Sequence, residues 1–458
     1  MDETRVLVEK CHDLRFDRLP EEVVDRAKYL LLDYLGVAAR GSLSDSSVPV
    51  HRVVQRMGKT GSGAVIIGTN MTADPAYAAL ANAAAAHSLE LDDVVNEASL
   101  HPAVAIMSAA LAAGHIAGGS GRELIEGMVV GYEAMIRLGF ALDPAAHYAR
   151  GFHPTGTCGT MGAAMTAAKI LKLDRTGMGN ALGIAGSQAA ASMEFLADGA
   201  FTKRLHPGWA AHSGILAALL AGEGFTGPAT ILEGRYGFFH AYSAGSIPSR
   251  LMEGWGAPHK VMRTSIKPHA CCRYKQGPID GILEIMRKHR LKASDVREVT
   301  LGILKAGYPI VAEPQDLKYN PKSVVDAQFS MPFGAAVAVL YGRASLDEYT
   351  REKVESGEVR EMMGRISCVH DPELDMDFPK RWPATVSVVT RTGEVFKTRI
   401  DYPKGDPENP LTWEELIQKF KDLTAPLFGE SVTLQIVDLV RDLERERDLE
   451  RLTRLLAR

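Results

Sequence analysis

Cysteine is scarce and irregularly placed, and its scarcity removes several kinds of protein at once. Cys11, Cys158, Cys271, Cys272 and Cys368 are odd in number and unevenly spaced, so they form no disulfide framework. The adjacent pair Cys271-Cys272 cannot act as a C-x-x-C metal clip, and no three cysteines are spaced for an iron–sulfur cluster. No G-x-G-x-x-G follows a strand pattern, and neither a phosphate-binding P-loop nor a G-x-S-x-G elbow is present. Nucleotide-cofactor and serine-hydrolase chemistry lose their sequence support. A net charge of −4 without a dense Lys/Arg stripe gives no electrostatic case for nucleic acid. The longest apolar run, Ala103 to Ala113, is too short to span a bilayer, so no membrane association is expected. The opening MDETRVLVEKCHDLRF reads as an acidic helix rather than a signal peptide, and a cytoplasmic location is expected.

What the chain does have is small residues at helical spacing. Pro20 to Ala39 carries proline and acids at its start and apolar residues at helix period. A helix beginning at Pro75 is followed by candidates at 102–118, 121–139, 156–171, 175–194 and 207–222. Their Ala and Gly content predicts close helix–helix packing rather than a sheet. The character changes near residue 260. A helix at 276–290, a strand at 296–304, a helix at 322–341 and strands at 366–371, 384–393 and 394–400 read as a smaller α+β unit. The last two strands are joined by a Thr392-Gly393 hairpin. From Thr412 the pattern is helical again. At 458 residues two or three domains are expected, of a mainly α class.

The stretch HSLELDDVVNEASLHPAVAIMSAALAAGH, His87 to His115, organises the rest. Glu90, Asp92 and Asp93 are read as closing one Ala-rich helix, and His101-Pro102 as opening the next. Proline is favoured at the first helical position, which puts His101 at or beside the N-cap. A helix start offers unpaired N–H groups and partial positive charge to an anion. His153-Pro154 and His206-Pro207 repeat the pattern 52 and 53 residues further on, each expected to open a small-residue helix. Glu90 and Asp93, three apart, are expected to share a helix face, with Asp92 pointing elsewhere. A carboxylate in an Ala-lined cleft has its pKa raised, which suits general acid–base work. A metal site from His87, Glu90, Asp93 and His101 matches no zinc or di-iron spacing, and no metal is expected. Lys203 and Arg204 lie between small-residue helices, and Lys267, Arg273 and Lys275 lie in an irregular segment, so these are the candidate carboxylate-binding cations.

The segments HSLELDD…HPAVAIMSAAL, GFHPTGTCGTMGAAMTAAKILKLD, FTKRLHPGWAAHSGILAALLAGEGFTGP, SIKPHACCRY and DAQFSMPFGAAVAVLYG resemble the 2-methylcitrate dehydratase (MmgE/PrpD) family, which includes cis-aconitate decarboxylase and iminodisuccinate epimerase. The resemblance covers nearly the whole chain. It implies a large all-helical domain, 1–265 with 405–458, plus a smaller inserted α+β lid domain, 266–404, and a homodimer. It also implies chemistry on di- or tricarboxylates with no cofactor. By motif match the family's active-site positions fall on Glu90, His101, His153, Lys203 and Lys267, with Tyr148 beside His153. Two departures stand out. The family's Asp-Phe-Asp-Asp-Thr is here Glu90-Leu91-Asp92-Asp93-Val94, and the tyrosine that decarboxylase-type members place near Phe329-Ser330-Met331 is absent.

The expected activity is a cofactor-independent hydro-lyase on a methylcitrate-like acid, with Glu90, Asp93 or His101 removing a proton alpha to a carboxylate. His153 is expected to protonate the departing hydroxyl. Lys203 or Lys267 is expected to stabilise the aci-carboxylate, and Tyr148, Arg204 and Arg273 to bind substrate. An epimerase of an amino- or imino-dicarboxylate, a decarboxylase of an unsaturated tricarboxylate and a non-catalytic carboxylate-binding protein are the alternatives.

Overall fold

Proline after a polar residue marks helix starts in this chain, and the computed structural model, which describes residues 2–57, 63–197, 199–378 and 380–458, has helices at such marks. The chain is mainly α and divides into two compact units. The first comprises Met1–Ser88, Asp92–Thr264 and Thr412–Arg458, and the second Leu89–Leu91 and Ser265–Leu411.

The first unit is helical apart from a two-stranded ribbon, Ala64–Val65 with Thr72–Ala73. Its long helices are α1 (Glu21–Gly41), α2 (Ser47–Met57), α3 (Pro75–Ala86), α4 (Pro102–Ala117), α5 (Gly121–Leu142), α6 (Pro154–Ile170), α7 (Arg175–Gln188) and α8 (Thr202–Gly222). The helix Trp413–Phe428 packs back on α1. Every residue of α6 is buried, and α6 packs against α4, α5, α7 and α8. Small residues make that density possible. A Cβ on Gly131 of α5 would stand 2.0 Å from Thr166 Oγ1 of α6, and one on Gly214 of α8 would stand 2.5 Å from the Ala163 Cβ. Those separations admit hydrogen only, so backbones touch where larger residues would hold them apart.

Two expectations need correcting. Pro207 does not open a helix: α8 starts at Thr202 and carries Pro207 in its second turn. The ring has no N–H to donate to the Lys203 carbonyl, so one helical bond near the N-terminus is missing while the rest of the helix continues past it. Nor do the carboxylates end a helix. α3 stops at Ala86, His87–Leu89 form one 3-10 turn, and Glu90 has φ +53°, a left-handed backbone that stops any helical face.

The second unit is built on a four-stranded sheet, β1 (Val296–Ile303), β2 (Ile366–His370), β3 (Ala384–Thr390) and β4 (Val395–Ile400), in the order β2-β1-β3-β4. β1 pairs with β2 in parallel and with β3 antiparallel, and β3 turns into β4 through Gly393 at φ +91°. Alternate residues of β3 are buried, as strand geometry requires of a sheet with one covered face. That cover is α9 (Gln276–Lys288), while α10 (Met331–Tyr341) packs against α9. The helix expected over 322–341 is broken at Phe329-Ser330, where Ser330 caps α10 and Pro332 occupies its first turn. Among the described residues no helix is long and apolar enough to cross a membrane.

Candidate active site

Helix ends bring four imidazoles together in the first unit. His87 caps the C-terminus of α3, His101 is the N-cap of α4, His153 is the N-cap of α6, and His206 lies near the start of α8. The loop between α3 and α4 is folded by the positive φ of Glu90 and Ser99 and by an antiparallel bridge between Val95 and Leu100. It returns Asp92 to the end of α3, with Oδ2 2.6 Å from His87 Nδ1 and 3.2 Å from His101 Nδ1. A carboxylate only accepts, so His87 carries its proton on Nδ1. His101 Nδ1 also lies 2.5 Å from the Asp93 carbonyl oxygen, which sets the same tautomer there. The His101 backbone N–H donates to Thr155 Oγ1 at 3.1 Å, tying the start of α4 to that of α6.

The cluster continues through His153. Its ring stacks on His87 with centroids 5.8 Å apart, and its Nδ1 is 3.1 Å from His206 Nδ1. Phe195 presents an edge to both His153 and His206. Burial, then the neighbouring His87, Lys203, His206 and His101, holds His153 well below the usual histidine pKa. Burial, then His87 and Lys203, lowers His206 to about 4. These imidazoles are neutral bases at neutral pH. Asp93 shows the opposite effect. Its Oδ1 accepts from the Ala103 N–H in the first turn of α4, and its Oδ2 accepts from the Tyr132 hydroxyl at 2.8 Å. Burial raises its pKa to about 8 despite those bonds. The result is a largely buried cluster with one carboxylate anchoring two imidazoles and a second carboxyl held largely protonated.

The sequence-derived candidates divide by unit. Asp93, His101, His153 and Lys203 share the first, and Lys203 is close enough to His153 and His206 for its charge to lower both. Tyr148 donates to the Ser99 carbonyl at 2.9 Å, and Arg204 donates to Ser46 Oγ at 3.0 Å, so each bonds the protein itself. Glu90, Lys267 and Arg273 belong to the second unit. Glu90 and Lys267 are both buried, and both act on the Cys271 thiol, Glu90 raising its pKa and Lys267 lowering it. Arg273 is engaged elsewhere: Nη2 donates to both oxygens of Asp406 at 2.7 Å, and Asp406 also accepts from Ser265. Asp92, set aside as facing away, is the carboxylate bonded to histidine, and His87, His206 and Tyr132 were not singled out for catalysis. The spacing of the His-Pro pairs was the available signal for His206.

His87, Asp92 and His101 also offer three donor atoms within 4.8 Å of one another. Through its Nδ1 atoms the group does not suit a metal. Ligands at about 2.1 Å around a tetrahedral ion stand about 3.4 Å apart, whereas His87 Nδ1 and Asp92 Oδ2 are 2.6 Å apart. Both Nδ1 atoms face acceptor oxygens and carry protons rather than lone pairs.

The MmgE/PrpD N-terminal domain model matches residues 5–250, and the MmgE/PrpD C-terminal domain model matches residues 269–445. Cis-aconitate decarboxylase of Aspergillus terreus is 28% identical, with 98% of this chain and 96% of the relative covered. The cis-aconitate decarboxylase-like protein oryM of Aspergillus oryzae is 26% identical over 99% of this chain and 98% of its own. Cis-aconitate decarboxylase of Mus musculus is 28% identical, covering 97% of this chain and 91% of the relative.

Proposed function

The chain belongs to the MmgE/PrpD family, and from that premise we propose that it is a lyase acting on a di- or tricarboxylic acid through a carbanion-like aci-carboxylate. The observation that carries this reading is the group of clustered imidazoles, two of them anchored on Asp92 and a third, His153, buried against His87. Generating or quenching a carbanion beside a carboxylate needs a positioned acid or base shielded from water, with positive charge near the developing anion. His101 and His153 are the proton-transfer groups of this reading, and Lys203 is its cation in the first unit. Roles for Glu90 as base and Lys267 as carboxylate partner rest on the family motif alone.

The relatives favour loss of carbon dioxide from an unsaturated tricarboxylate. The C–C bond to the leaving carboxylate breaks, its electron pair is delocalised into a remaining carboxylate, and an imidazolium protonates the carbon. Loss of water from a methylcitrate-like acid is the second reading. It is favoured by Glu90 and Val94 in the acidic run and by the absence of tyrosine at Phe329-Ser330-Met331. Incubating the full chain with cis-aconitate, methylcitrate and iminodisuccinate in deuterated water, followed by NMR, separates these outcomes. Release of carbon dioxide with one deuterium gained supports decarboxylation, new alkene supports dehydration, and exchange without net change supports epimerisation. If none of these acids nor a wider panel of polycarboxylates is altered, the lyase reading fails.

A homodimer belongs to the same proposal. α8 has no charged side chain between Arg204 and Glu223, yet it exposes Leu205, Trp209, Leu216 and Leu219. α2, next to α3, exposes Val53 and Met57. Apolar surface of that extent supports association with a second copy, and sedimentation gives the mass directly.

A further inference from the structure

Among the described buried side chains, few polar atoms lack a partner, and one of them lies inside the imidazole cluster: Nε2 of His87. The residue is wholly buried, and its other nitrogen is bonded to Asp92 at 2.6 Å. Because that bond fixes the proton on Nδ1, Nε2 is a bare lone pair with nothing to accept from. A buried acceptor left unmet carries the full desolvation cost of that group. Such a cost inside a reactive cluster marks a place where a donor arrives. His51 Nε2 and His212 Nδ1 are also unmet, but no carboxylate is bonded to their second nitrogens among the described contacts. His87 therefore has two features they lack. A carboxylate sets its tautomer, and its ring lies against two imidazoles, His101 at 5.1 Å and His153 at 5.8 Å.

We infer that His87, oriented by Asp92, is a further proton-transfer residue of this site, its Nε2 exchanging a proton with the substrate carbon beside a carboxylate. The inference rests on the lyase reading above. In loss of water, the C–H bond alpha to a carboxylate breaks, its electron pair passes into that carboxylate, and Nε2 takes the proton. In loss of carbon dioxide, His87 enters as the imidazolium, having taken a proton from solvent beforehand. Nε2–H then protonates the carbon that kept the electron pair, and the ring returns to neutral. In both directions the imidazolium is stabilised by the Asp92 carboxylate on Nδ1, the arrangement that makes a buried histidine serviceable as acid or base. His101 sits differently, with Nδ1 shared between Asp92 and the Asp93 carbonyl.

The test uses the full chain and His87→Gln, with turnover of the acid identified in the deuterium screen. Propane-1,2,3-tricarboxylate, which has neither hydroxyl nor alkene, serves as the binding probe. The expected result is a fall in kcat on the order of 10²- to 10⁴-fold, with the dissociation constant of the probe within threefold of wild type. A kcat within threefold of wild type overturns the inference, and so does a parallel loss of kcat and probe affinity, which indicates a structural role. If His87→Gln does not fold, nitrogen-15 NMR of the wild-type imidazoles decides instead. A His87 protonated on Nδ1, with an Nε2 signal that moves when citrate is added, sustains the inference. An Nε2–H tautomer, or an Nε2 signal indifferent to citrate, overturns it. Wild-type protein inert towards every polycarboxylate defeats the lyase reading, while the NMR result still reports on the nitrogen itself.

Discussion

Each unit buries a polar cluster, and the two clusters treat their charges differently. In the second unit, Lys275 is fully buried, yet its Nζ donates to the carbonyls of Ala327 at 2.8 Å and Gln328 at 3.3 Å. Burial lowers its pKa to about 8. Arg273 is held by Asp406, His269 by Asp280, and the Gln276 amide donates to the carbonyls of His269 and Cys271. Nearly every donor has an acceptor, the Tyr349 hydroxyl excepted. In the first unit, imidazoles face one another and one nitrogen is left over. Burial and charge alone therefore do not distinguish reactive from structural clusters, since both units have both. The difference lies in satisfaction: a closed network fixes a fold, and one with an open valence receives a ligand.

Substitution should separate the two clusters. His153→Gln is expected to lower kcat on the order of 10²- to 10⁴-fold while the protein still melts cooperatively. Steady-state kinetics beside a thermal melt checks both halves. Asp406→Asn should do the reverse. It leaves the Arg273 charge buried without its carboxylate, at a cost of about 3–5 kcal/mol. A large drop in denaturant midpoint should precede any change in the kinetics of the protein that remains folded. If Asp406→Asn instead lowers kcat without lowering stability, the second cluster is not merely structural, and the contrast between the units collapses.

Asp93 gives a smaller and more graded test. Its folded-state pKa of about 8 lies above the ordinary aspartate value of 3.8, so the folded protein holds a proton there that the unfolded chain releases. The resulting stability is fully present below about 4 and is lost as pH rises towards 8. His206 acts in the other sense. Lowered from 6.5 to about 4, it withholds stability as pH falls through that window. Asp93→Asn keeps the size and an acceptor for the Ala103 N–H. Urea midpoints between pH 6 and 9 should therefore decline less steeply than in wild type. An unchanged slope means that Asp93 is ionised throughout, and its environment is then as open to solvent as an ordinary surface carboxylate's.

Much of this architecture was legible because its signals are local. Proline after histidine predicted the N-caps at His101 and His153, and alternation with Thr392-Gly393 predicted the β3–β4 hairpin. The histidines of the cluster were legible in part for the same reason, since His101, His153 and His206 each precede a proline. The shared helix face expected of Glu90 and Asp93 fails for a specific reason: the helix stops at Ala86 and Glu90 is left-handed, so no helical spacing relates the two carboxylates. The bond that Arg273 makes to Asp406 was not legible, because the two lie 133 residues apart, beyond any spacing rule. The open nitrogen on His87 depends on which of three neighbouring acids turns back over α3, and that choice belongs to the fold of the loop rather than to its composition.

The smallest expected effect is none at all, and it bears directly on how the first cluster is read. Among the described residues, His87, Asp92 and His101 form the group whose donor atoms come close enough together to invite a cation. If they held one, the bare Nε2 of His87 would be irrelevant and the chemistry would follow the ion. The separation of 2.6 Å between His87 Nδ1 and Asp92 Oδ2 is instead that of a charge-assisted hydrogen bond. The Asp93 carbonyl at 2.5 Å from His101 Nδ1 is an acceptor that a lone pair on that nitrogen would repel. Dialysis against a strong chelator should therefore leave turnover within error of the untreated enzyme, and added zinc should not raise it. Activity lost to chelation and restored by one divalent ion would require both imidazoles to shed their Nδ1 protons, which would undo the contrast between an open proton-transfer cluster and a closed structural one.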